Sequence, residues 1–125
     1  MHINFYDEFE TPKPRAEVRF NKLGLYIYPD KRRVAVGFDI TPFLEPPSIE
    51  VTLRNSAGEP AGSLTVIETN QKNFSLTVHL RDKNPTEVYE ITAVLYYAKP
   101  GEPREVVHTR TASFVITEPG EQILE

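Results

Sequence analysis

The three histidines, His2, His79 and His108, are the side chains best suited to metal binding or proton transfer, and they stand far apart in the chain. A closed zinc site draws on four convergent ligands with supporting partners. With no cysteine to help them, scattered histidines make no local cluster, so neither a metal nor any other cofactor is expected. Asp30, Asp39, Glu45 and Glu50 are of the type that pairs for acid–base work. None falls in a catalytic pattern, and solvated strand faces and turns account for them. The sequence has no nucleophile elbow, zinc-protease motif, phosphate-binding loop or EF-hand, and its six glycines are dispersed. A non-catalytic protein is therefore expected. Asn73-Phe74-Ser75 fits the glycosylation sequon, a pattern short enough to arise by chance. Lys31-Arg32-Arg33, the tight basic cluster, reads as a charged hairpin tip that keeps a sheet edge soluble.

A chain of 125 residues, 39% hydrophobic and 26% charged, has the size and balance of one domain with its own core. Its net charge of -4 opposes the phosphate backbone, which excludes nucleic acid as the expected partner. No apolar run is long enough to span a membrane, and the opening MHINFYDEFE lacks the basic start and apolar stretch of a signal peptide. Together with the missing cysteines, this favours a cytoplasmic address over a secreted one.

The elements that would position these residues are strands. Residues 1 to 14 show no lasting period and read as an N-terminal arm. In 16 to 28, Val18 and Phe20 share one parity and Leu23, Leu25 and Ile27 the other, which predicts a β-bulge near Asn21 and Lys22. Pro29 to Arg32 reads as a turn, and Val34, Val36, Phe38 and Ile40 alternate cleanly after it. Further alternating runs are expected at 48 to 54, 63 to 68 and 74 to 80. All eleven prolines fall between such runs, as their missing backbone donor requires. The stretch from 87 to 117 holds two runs rich in Val, Ile, Thr and Tyr around Lys99-Pro100-Gly101-Glu102-Pro103, a long antiparallel hairpin. The pattern predicts an all-β fold, a two-sheet antiparallel sandwich of about seven strands over residues 15 to 118, with no ordinary-length helix. Residues 119 to 125 read as a C-terminal tail.

Leu80 followed by Pro85-Thr86-Glu87-Val88-Tyr89-Glu90-Ile91-Thr92-Ala93 resembles the approach to the sixth strand of immunoglobulin-like and fibronectin type III-like sandwiches. The resemblance implies a corner tyrosine at Tyr89, its hydroxyl bonded to upstream backbone, with Ile91, Ala93 and Leu95 facing the core. Such folds host many unrelated roles, so the likeness supplies no substrate.

Alternation then places Thr92, Val94 and Tyr96 on the outer face of one hairpin strand, with Val107, Thr109 and Thr111 on the other. A face of β-branched residues with one tyrosine carries little charge for an idle surface. Val94, Tyr96, Val107, Thr109 and Thr111 are thus the expected interaction surface, for another protein or a second copy of the chain, with no small-molecule substrate. The rival readings are a carbohydrate-binding sandwich, for which Tyr26, Tyr28, Tyr96 and Tyr97 are the stacking candidates, and a ligand-free spacer of a larger assembly.

Overall fold

Eight strands carry the fold in the computed structural model, which describes residues 11 to 124. They are β1 (Phe20–Ile27), β2 (Arg33–Ile40), β3 (Ser48–Asn55), β4 (Pro60–Val66), β5 (Asn73–His79), β6 (Val88–Tyr97), β7 (Glu105–Val115) and β8 (Gly120–Leu124). They form two four-stranded sheets in the orders β5-β2-β1-β8 and β4-β3-β6-β7, and every named pairing is antiparallel. Among the described residues the helical element is a single 3-10 turn at Arg15–Glu17. No helix there is long and apolar enough to cross a membrane.

Parity builds the core. The side chains of Leu23, Ile27, Val34, Val36 and Ile40 from one sheet meet Ile49, Val51, Leu53, Ile91 and Leu95 from the other, all fully buried. Burying each stabilises the fold by about 1.5–3 kcal/mol, against backbone ordering of about 1–2 kcal/mol per residue. The expected bulge is present, as a register shift between Phe20 and Lys22 that turns Phe20 inward beside Phe38 at 6.0 Å. The turn into β2 is held by Asp30, whose carboxylate accepts from the Arg32 amide at 2.9 Å and the Arg33 guanidinium at 2.7 Å.

Two features depart from the sequence reading. Strand β4 begins at Pro60 rather than near residue 63, and a proline is tolerated there because it opens an edge strand. Residues 119 to 125 are not a loose tail over their described length: Gly120–Leu124 pairs with β1 and buries Leu124, closing an edge that would otherwise expose unpaired backbone. The N-terminal arm lies largely outside the described residues, and of its remainder Lys13 bridges to Phe43.

Candidate binding face

The expected surface is broken up by a second bulge. Leu95 pairs with His108 but Tyr96 with Val106, so Val107 is an extra residue in its strand. It packs against the core instead of facing outward. Tyr96 is buried rather than exposed, at 7%. The guanidinium of Arg104 lies over its ring at 3.9 Å and donates to Glu50 at 2.9 Å. Val94 is half-buried and only Thr109 and Thr111 of the expected row are exposed. The five residues therefore do not form one continuous surface.

The ionisable groups that do gather are held in mutual pairs. Asp82 sits in the loop between β5 and β6 with its side chain wholly buried. It accepts from Asn55 Nδ2 at 2.9 Å and from the Tyr89 hydroxyl at 2.7 Å, while Arg32 lies 3.3 Å from its other oxygen. Tyr89 is buried at the start of β6 as expected, but its hydroxyl bonds a carboxylate and not the upstream backbone that the resemblance implied. Burial pushes the Asp82 carboxyl up, and the bonds from Asn55 and Tyr89 with the charge of Arg32 outweigh it, leaving it below the usual carboxylate range. Burial, then the bond to Asp82, pushes the Tyr89 phenol up.

At the opposite end Arg15 bridges Glu45, through bonds of 3.0 and 2.8 Å, and Glu105 at 3.0 Å. Of the carboxylates singled out from sequence, Asp30, Glu45 and Glu50 each bond an arginine, and Asp39 lies 3.7 Å from Lys72. His108 Nδ1 accepts the Phe20 amide at 2.9 Å, which fixes the proton on Nε2. Burial, then Arg19 and Arg110, hold His108 below the usual histidine value. His79 lies exposed on the far edge strand and is not brought to it. Among the described residues no group of three or more His, Cys, Asp or Glu is placed to hold a metal ion.

The outer face of the β5-β2-β1-β8 sheet differs from these paired sites. Tyr26, 40% exposed, meets Tyr28 edge to face at 5.1 Å, and Arg33 lies 4.3 Å over the Tyr28 ring. Beside them runs a row across all four strands, Ile123, Gly24, Gly37 and Ser75, with Ile123 67% exposed. The next row is Glu121, Tyr26, Ala35 and Thr77. The two rows, Thr77 apart, line a shallow trough of about 330 Å³. Of the four tyrosines named from sequence, Tyr26 and Tyr28 are brought together here, whereas Tyr96 and Tyr97 are buried in the other sheet. Gly24 and Ile123 were missed. The parity that turns Tyr26 outward was a signal for Gly24, but Ile123 needed β8 to be recognised.

No protein-family model matches the sequence, and a search of curated proteins finds no match. Among solved structures the chain is similar to part of a β-glucuronidase from Ruminococcus gnavus in complex with an N1-substituted uronic isofagomine. That alignment has 16% identity and a TM-score of 0.44, over 79% of this chain and 16% of the enzyme's. The chain thus spans about 16% of the length of the protein it matches.

Proposed function

We propose that the chain is a non-catalytic recognition module of immunoglobulin-like or fibronectin type III-like kind, whose docking face is the outer surface of the β5-β2-β1-β8 sheet. The observation that carries this reading is Tyr26, standing exposed on a sheet whose opposite side is the core, with the half-buried Tyr28 ring set edge to face against it. Amphipathic rings of this type are favoured where one body must meet both apolar and polar groups. The fold kind is supported by β3, β6 and β7 sharing one sheet and β1, β2 and β5 the other, with a tyrosine at the start of β6. The non-catalytic character is supported by the pairing of the gathered charges with one another.

A second reading, association with another protein or a second copy through the opposite sheet, is favoured by β7. It is an 11-residue edge strand with Val106 53% exposed and Thr109 and Thr111 beside it. Sedimentation velocity across concentration, with one charge placed on each face, separates the two. Val94→Lys leaves self-association and ligand binding unchanged on the first reading, and Tyr26→Glu reduces them. The reverse pattern overturns it.

A further inference from the structure

We infer that the face carrying Tyr26 is a carbohydrate-binding site, in which a pyranose ring stacks on Tyr26 and lies over the floor formed by Gly24 and Gly37. This rests on the reading of that sheet as the docking face. Tyr26 is exposed while its partner Tyr28 is steadied by Arg33, itself bonded to Asp30, so the ring is held before any ligand arrives. Around it stand groups suited to the rims of a sugar: the Glu121 carboxylate next to Tyr26 on β8, and the Ser75 and Thr77 hydroxyls two strands away. With strands about 4.8 Å apart the rows are about 14 Å across, room for more than one ring.

The fold itself does not explain the floor. Of the six glycines, Gly58, Gly101 and Gly120 have positive φ, and a Cβ on Gly62 would meet Val78 Cγ1 at 2.7 Å. Gly24 and Gly37 have neither reason. They face each other across β1 and β2 in regular register, and a Cβ on Gly37 would meet only the Gly24 carbonyl at 3.9 Å. Glycine weakens a strand interior and often marks a bulge, a tight bend or a close approach by a ligand or another backbone; the regular register here removes the bulge and favours the close approach.

The trough is scaled to a small ligand rather than to a partner chain. A trough of 330 Å³ lies at the low end of the small-ligand range of about 300–1,000 Å³. A stable dimer needs about 800 Å² from each partner, and the large apolar side chains exposed on this face are Tyr26 and Ile123.

The test is a titration of the full chain, followed by ¹H–¹⁵N NMR, with short soluble oligosaccharides of cellulose, xylan, mannan and pectin type. The expected result is saturable shifts at Gly24, Tyr26, Gly37, Ser75 and Thr77 for at least one probe. Tyr26→Ala then weakens binding about tenfold or more. Gly37→Val, for which there is space, abolishes it with an unchanged or raised melting temperature. A silent panel, together with self-association that Gly37→Val removes, overturns the sugar and leaves the face as a protein contact. Silence in both assays, or sugar binding indifferent to both substitutions, removes the face as well.

Discussion

Tyr89 and Asp82 show how a short polar contact can fix three loops at once. Asn55, the last residue of β3, bonds Asp82 and the Asn84 carbonyl, and Arg32, from the turn before β2, bonds the Asp82 carbonyl at 3.0 Å. Removing one donor leaves a buried carboxylate short of a partner, and hydrogen bonds to charged groups contribute about 1.5–3 kcal/mol. Tyr89→Phe is therefore expected to lower stability by about that amount in urea denaturation at neutral pH. Because the carboxyl is held low in the fold, its contribution is present above the ordinary aspartate value of about 4 and fades as pH falls through the folded value. The cost of Tyr89→Phe should shrink in that acid range. His108 has the same sign at higher pH. With its folded value lowered, stability is lost as pH falls below about 6.5, where the unfolded chain takes up a proton that the folded one resists. A melting temperature that falls between about pH 7 and 5, and flattens in His108→Gln, checks this.

Strands were legible where parity broke visibly, and obscure where it did not. The bulge at Phe20 and Lys22 could be read because apolar residues change parity across it. The bulge at Val107 was silent, since Val106 and Val107 offer an apolar side chain on either parity. One unseen extra residue was enough to misplace Val107, while Arg104 covered Tyr96. Strand β8 was obscure for another reason. Ile123 and Leu124 are adjacent, so no alternation announces a strand, and only the open edge of β1 explains why one forms. Leu124 is only 6% exposed, so Leu124→Ala should lower stability by about 2 kcal/mol, at the low end for a core leucine because the site is at an edge. A urea midpoint that does not move would mean β8 is held by its backbone alone.

Across the whole molecule, the two ends are tied by charge networks and the middle by an apolar core, so the proposed binding face is carried on a frame that has little need to move. Strands β2, β3 and β6 have partners on both sides, whereas β8 has only five residues and one partner, and residues 98 to 104 are exposed throughout. Hydrogen exchange should follow that order. The loop exchanges fastest, β8 next, and the amides of β2, β3 and β6 only through global opening. Since Gly37 lies in the middle of β2, the floor of the trough belongs to the slowest class and is set before a ligand binds. A bound oligosaccharide should then slow exchange at β1 and β2 by no more than the stability that its binding adds, with no newly protected segment elsewhere. Rapid local opening of β2 in the free chain would mean that the face is assembled by its ligand, and the steadied Tyr26 ring could no longer account for recognition.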